Sequence, residues 1–322
     1  MRYRTLGRTG LRVPAVGFGT WAAGGDMWGP QDDRVTLEAF RRAWDLGCTF
    51  FDTAAVYGDG HSEELLGRFM AESGAKPVIA TKIPPKNYGW PARRGTPLKE
   101  AFPRDHIVRE TEESLRRLNM ECVHVQQLHV WSDDWTDQEE WYEALVRLRE
   151  QGKILHFGLS LNTFDPESGV GVVEKGWVDT IQVVHNLFEQ APEDRLFPAA
   201  LRHGVGIIAR VPFDESSLTG KLTRDSTFGA GDFRSRHFAG KRLEETVERV
   251  DALRETLGKP GANLAEVALR YCLSFDAVST VIPGMRNIPQ VEQDLAPADL
   301  GPLPEDLLEK LKPHRWDRSQ GW

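Results

Sequence analysis

Four side chains in this 322-residue chain form a set that could do chemistry: Asp52, Tyr57, Lys82 and His129. A tyrosine phenol ionises near 10, too high for easy proton donation at neutral pH. A neighbouring ammonium favours the phenolate and lowers that value. Lys82 can play that part, and Asp52 can keep Lys82 charged and in place. A histidine N–H can hydrogen-bond a carbonyl oxygen. Together the four make a proton-donating pocket for a carbonyl or an alcohol. Nothing in the set resembles a nucleophile with its own base. Taken singly, each has a plainer reading: an aspartate caps a helix, a tyrosine packs a loop, a histidine sits satisfied in a core. Lys82 is harder to dismiss, because lysine is rarely buried unpaired. Their succession on three consecutive elements carries the chemical reading.

Those elements are short apolar runs rich in β-branched residues, at 16–19, 49–52, 78–82, 122–129, 154–160, 180–184, 205–210 and 278–283. Such runs are typical of strands buried on both faces. Helix-like stretches lie between them. Residues 32–46 carry Val35, Leu37, Ala39, Phe40 and Ala43, and 103–118 carry Ile107, Val108, Thr111, Leu115 and Leu118, with Asp105 as the expected N-cap. The stretches 139–151 and 250–257 are followed by Gly152 and Gly258, a glycine just past a helix end. Residues 263–274 read as one more helix. Eight strand–helix units predict a closed parallel (β/α)8 barrel of the TIM type, with an open doubly wound sheet as the alternative. Residues 1–14 read as a β-hairpin ahead of the first barrel strand. With no internal repeat and no linker, the expected organisation is one domain over 1–322. Two long loops, 84–102 and 212–241, leave strand C-terminal ends, the face where barrel active sites lie.

Composition narrows the function classes. The chain has 40 basic and 48 acidic side chains, a formal charge of −8, which argues against nucleic acid as the main partner. No apolar run approaches a membrane span, and the opening MRYRTLGRTGLRVP lacks a secretory apolar core, so a cytoplasmic setting is expected. Cys48, Cys122 and Cys272 are far apart and suggest reduced thiols, neither disulfides nor a metal site. The histidines show no HxH or HExxH spacing, so no metal is expected and metal-dependent hydrolysis is disfavoured. Glycoside hydrolysis needs paired carboxylates, whereas His129 and Arg210 end the fourth and seventh strands. GFGTWA, Gly17 to Ala22, matches a dinucleotide fingerprint, but AAGGDMWGP follows where a helix must open.

The segment FFDTAAVYGDGHSEELLG resembles the signature of the aldo-keto reductases, and IATKIP and VHVQQLHVW resemble the segments carrying that family's lysine and histidine. GKILHFGLS, VIPGMRN and the opening YRTLGRTGLRVPAVGFGTW add to the resemblance, which runs in order over nearly the whole chain. It implies a (β/α)8 barrel that binds NADP(H), with NAD(H) as second option, and reduces a small-molecule aldehyde or ketone, or runs the reverse. It implies Tyr57 as general acid, Lys82 lowering its pKa, Asp52 pairing with Lys82, and His129 orienting the carbonyl. Ser160 and Gln182 would hold the nicotinamide carboxamide. Gly19, Thr20 and Trp21 would border the nicotinamide. Leu218, Gly220 and Lys221 would approach the pyrophosphate. Gly284, Arg286 and Gln290 would lie at the adenosine 2′-phosphate end, with Asp294 near adenine. Some relatives are instead cofactor-binding regulatory subunits of potassium channels, the rival reading.

The sequence departs from that pattern in places. Leu161 stands where an asparagine commonly follows the serine, and Asn162 comes one residue later. Arg210 stands where an aromatic commonly stacks on nicotinamide; its planar guanidinium can stack instead. His124 stands where many members have an aspartate and reads as structural. Asp294 replaces an asparagine or glutamate. Of the ten tryptophans, Trp21, Trp28, Trp90 and Trp131 lie in segments expected at the barrel mouth and suggest an apolar, aromatic-lined substrate pocket. Oligomeric state leaves no mark in the sequence.

Overall fold

The computed structural model describes residues 1–25, 27–229, 231–258 and 262–318. Two short strands, β1 (Tyr3–Thr5) and β2 (Arg12–Pro14), pair antiparallel as the expected hairpin. Eight more follow: β3 (Phe18–Gly19), β4 (Phe50–Asp52), β5 (Val78–Ile83), β6 (Val123–Leu128), β7 (Ile154–Ser160), β8 (Thr180–Val184), β9 (Gly206–Arg210) and β10 (Val278–Ile282). Each pairs in parallel with the next in chain order. Bridges Val16–Val281 and Gly19–Gly284 join the first strand to the last, so the sheet closes into a (β/α)8 barrel.

Helices wrap the outside because their apolar stripes need the sheet. In the helix Asp33–Asp45, Leu37, Phe40 and Ala43 are buried against it, and Asp32 caps the N-terminus by accepting from the Arg34 N–H. Asn263 and Asn287 cap the helices Leu264–Leu273 and Ile288–Leu295 in the same way. The expected Asp105 cap is displaced: the helix Arg104–Leu118 starts two residues earlier, with Pro103 at the cap position and Asp105 inside the first turn. Proline suits that boundary, since it brings a fixed φ and no N–H to satisfy. The helix expected at 250–257 begins earlier, at Arg242–Leu257, before Gly258 in a left-handed conformation.

Inside the barrel, side chains stack in layers. Phe50, Ala80, Val125, Ile208 and Ile282 form an apolar layer, with Leu6 and Val13 of the hairpin packed against it. Arg4 anchors that hairpin by donating to the carbonyls of Leu273, Phe275 and Val278. Two residues further along their strands stand Asp52, Lys82, Gln127 and Arg210. Strand periodicity of two puts them on the same inward face, one layer nearer the C-terminal end. The apolar layer seals the bottom, and the polar layer is left to face the mouth.

Candidate active site

Lys82 is fully buried, and its Nζ donates to Asp52 Oδ1 at 2.5 Å, to the Thr53 carbonyl at 2.7 Å and to the Tyr57 hydroxyl at 3.2 Å. The other Asp52 oxygen accepts from Gln182 Nε2 at 2.7 Å and Gln127 Nε2 at 3.5 Å. Asp52 is thus shared by three strands, and the ammonium is aimed at the phenol. Gln127 escaped the sequence reading. It stands two residues before His129, so strand periodicity alone marks it as facing the same interior.

Tyr57 is placed by a turn that needs glycine. A Cβ on Gly58, whose φ is +62°, would lie 2.2 Å from the Gly24 carbonyl oxygen, and one on Gly24 would lie 2.6 Å from the Gly58 nitrogen. The two backbones meet there because neither carries a side chain. Trp21 stacks on Tyr57 at 6.2 Å between centroids, and His129 meets its edge at 5.9 Å. Beneath them Thr20, Thr53 and Ser62 form a buried chain of hydroxyls, with Thr20 also donating to the Asp52 carbonyl. Thr20 therefore spends its hydroxyl on the scaffold while lining the cavity.

Burial decides the protonation states. It pushes the Tyr57 phenol above its ordinary value, and the opposing pull of the Lys82 ammonium is smaller. Lys82 acts in the expected direction, but the net shift is upward, so the phenol keeps its proton. For Lys82, burial favours the neutral amine, but Asp52 and Tyr57 together outweigh it and hold the ammonium. Burial, then Lys82 and Arg210, push His129 well below the ordinary histidine range, so its ring is neutral. Its Nδ1 is buried with no hydrogen-bond partner among the described residues, which leaves Nε2 for the cavity.

Asp52, Tyr57, His129 and Arg210 line one cavity of about 1170 Å³, larger than the usual range for a single small ligand, with Lys82 buried behind Tyr57. Trp21, Trp28 and Phe233 form an aromatic cluster on its wall, with Trp90 and Tyr88 near His129. Trp131 does not belong there. It is fully buried among Trp135 and Trp141, and its Nε1 donates to the Ser168 carbonyl. Residue 131 follows the inward-facing His129 by two, but β6 has ended, so the strand alternation no longer applies.

Sequence comparison places this geometry among known proteins. The profile of the Aldo/keto reductase family matches residues 15–315. The chain belongs to the aldo/keto reductase family. It is 32% identical to the aldo-keto reductase YhdN of Bacillus subtilis over 91% of this chain and 87% of that one. It is 30% identical to a probable voltage-gated potassium channel subunit beta of Arabidopsis thaliana, over 94% and 93%. The structure of the glycerol dehydrogenase AKR11B4 from Gluconobacter oxydans superposes with a TM-score of 0.77 at 32% identity, covering 94% and 92%. The protein is an NAD(P)H-dependent oxidoreductase of the aldo-keto reductase type.

The remaining aldo-keto reductase positions divide. Gly19, Ser160, Gln182, Arg210, Lys221, Gly284, Arg286, Gln290 and Asp294 line the cavity. Among the described residues, a Cβ on Gly284 would meet only the Gly19 carbonyl, at 4.0 Å. Leu218 instead packs behind the wall with Val250, Leu253 and Leu264, and Gly220 caps a short turn beside Arg254. Ser216, Thr219 and Lys221 form the wall at that point. Asn162 lines the cavity, but its amide is spent on the scaffold: it donates to the Trp131 and Ala92 carbonyls and accepts from the Ala92 N–H, pinning the 84–102 loop. Arg210 is held by the Leu161 carbonyl at 3.0 Å and Thr163, with Nε buried and without a hydrogen-bond partner among the described residues. Arg286 reaches Gln31 and the Pro30 carbonyl. The signature's Glu63 serves the scaffold, accepting from Thr81 and Arg117 outside the barrel. His124 does likewise, accepting from the Ile79 N–H.

Proposed function

We propose that this protein reduces an aldehyde or ketone to an alcohol with NADPH, with Tyr57 as the proton donor. The observation that carries this reading is the buried Asp52–Lys82–Tyr57 chain opening into the cavity beside a neutral His129. When bound, the nicotinamide supplies a hydride to the carbonyl carbon. Tyr57 passes its proton to the carbonyl oxygen, and Lys82 stabilises the phenolate left behind. Asp52, gripped by Gln182, keeps Lys82 charged and aimed. His129 donates from Nε2 to the same oxygen and orients it.

The cavity residues fit the dinucleotide. Gln182 spends its amide nitrogen on Asp52, which leaves its oxygen, with the Ser160 hydroxyl, for the carboxamide. Trp21 and the guanidinium of Arg210 supply flat faces for the nicotinamide. Lys221 and Arg286 bring positive charge for the phosphates, and Arg286 offers the 2′-phosphate a forked donor. Trp21, Trp28 and Trp90 favour an apolar group beside the carbonyl. The unpaired Cys48, Cys122 and Cys272 suit a reducing, cytoplasmic setting.

The test is cofactor oxidation over a panel of aromatic and aliphatic carbonyls with NADPH and NADH. Tyr57→Phe is expected to cut kcat by about 10²-fold or more while cofactor affinity stays. Arg286→Ala is expected to weaken NADPH and leave NADH. Tight cofactor binding without turnover on any carbonyl would instead support a regulatory subunit.

A further inference from the structure

The chain's C-terminal part reaches back over the loop that follows β9. In that loop Val211, Asp214, Glu215 and Ser216 have φ of +56°, +45°, +56° and +85°. A β-branched residue and two acids thus occupy the left-handed region that side chains disfavour, and such a conformation persists only when its surroundings over-determine it. Part of the constraint is local: Asn186 Nδ2 donates to the Val211 carbonyl and Ser217 Oγ to the Asp214 carbonyl.

Arg234 Nη1 also donates to Ser216 Oγ at 3.3 Å, and a further tie comes from Arg318. Its Nη1 and Nη2 grip the two Asp214 carboxylate oxygens at 3.1 and 2.7 Å. Both side chains are nearly dry, 5% and 4% exposed. The guanidinium lies over the rings of Phe164 and Trp316, at 4.7 and 4.8 Å. Trp316 is itself fixed, its backbone N–H donating to the Phe188 carbonyl at 2.8 Å. Phe164 adjoins Thr163, which holds Arg210. One guanidinium therefore ties together the C-terminal segment, the loop after β7 and the loop after β9. Val211, Pro212, Phe213, Glu215 and Ser216 all line the cavity. An exposed ion pair would do little here, but a buried, bidentate pair between two rings is a specific clamp.

We propose that Arg318 is a positioning residue for the cofactor: it latches the C-terminal segment onto Asp214 and holds Arg210 and the 211–216 wall in the shape that receives the dinucleotide. The proposal rests on the reading that this cavity binds NAD(P)H. Without the guanidinium, the buried Asp214 carboxylate loses its ion-pair partner beside Glu215, and the wall must rearrange to compensate. The loop then relaxes away from a shape that its own backbone disfavours.

Tryptophan quenching by NADPH and NADH tests this, with steady-state kinetics alongside. Arg318→Ala is expected to raise cofactor Kd and KM by about tenfold or more, with kcat at saturating cofactor within about twofold. Arg318→Lys keeps the charge but loses the fork and is expected to fall between. Phe164→Leu removes one face of the clamp and is expected to weaken cofactor in the same direction. Wild-type protein that binds neither cofactor overturns the functional reading and the latch together. Wild-type binding with an unchanged Kd in Arg318→Ala overturns the latch alone, even if Tm falls. Should Arg318→Ala fail to fold, unchanged Kd in Arg318→Lys and Phe164→Leu overturns it.

Discussion

Proton placement in this barrel follows from burial first and neighbours second. Tyr57 and His129 are both held neutral mainly by loss of water, and Lys82 stays charged only because Asp52 and Tyr57 are within hydrogen-bond reach. Under the proposed mechanism, the free enzyme's basic limb for carbonyl reduction should therefore lie above the ordinary tyrosine value of about 10. Glu215 makes a sharper case. Burial, with Asp214 beside it, pushes its carboxyl up to about 8. Between the ordinary carboxylate value and that one, the folded chain holds a proton that the unfolded chain has lost. Stability from this group is therefore lost as pH rises toward 8. Glu215→Gln carries no such proton, so its Tm should gain on wild type between about pH 5 and pH 9. A Tm difference that stays flat would show that Glu215 does not titrate in this window. Of these residues the sequence marked Asp52, Tyr57, Lys82 and His129, because each is an unusual type at a strand end or beside one. It did not mark Glu215 or Gln127, whose types are ordinary and whose importance lies in their surroundings.

At the scale of the element, the loops were legible as loops but not in their attachments. The 84–102 loop is fastened by Asn162 to Ala92, by Arg94 to Asp133, and by the Trp135 indole to the Thr96 carbonyl. Asn162→Ala strips partners from the Ala92 N–H and from two carbonyls, at about 1–3 kcal/mol for each buried group left unpaired. The expected result is faster proteolytic cutting within 84–102 and a higher KM for the carbonyl, with cofactor Kd unchanged. A rise in cofactor Kd instead would return Asn162 to a carboxamide role. Likewise, the helix starts at Asp33, Leu264 and Ile288 follow from local caps, whereas the start at Arg104 turned on Pro103 rather than on the nearest acid. A proline and an aspartate both signal a helix start, and only the folded backbone chose between them.

The whole molecule explains why one end is reactive. The hairpin and the Phe50–Ile282 layer shut the bottom, so the polar layer opens only toward the loops. The described residues include no helix long and apolar enough to cross a membrane. Tryptophans divide between the two zones: Trp21, Trp28 and Trp90 line the cavity, and Trp131 is core. Trp131→Phe should cost of order 1–3 kcal/mol through lost packing and the lost bond to Ser168, lowering Tm. KM for the carbonyl should not move; a selective KM change would restore Trp131 to the pocket.

The sequence by itself determined the alternation of eight buried strands with helices, because such strands have few ways to hide their apolar faces other than a barrel or a doubly wound sheet. It also determined the chemical set, because its motifs name residue types at spacings that survive without coordinates. Only the tertiary structure decided which oxygen of Asp52 meets Lys82 and which meets Gln182, and that burial outweighs Lys82 at Tyr57. It alone brought Arg318 onto Asp214, 104 residues away along the chain. Contacts of that kind have no local period or spacing. They depend on where closed loops and a returning terminus happen to meet, and on how much water is excluded when they do.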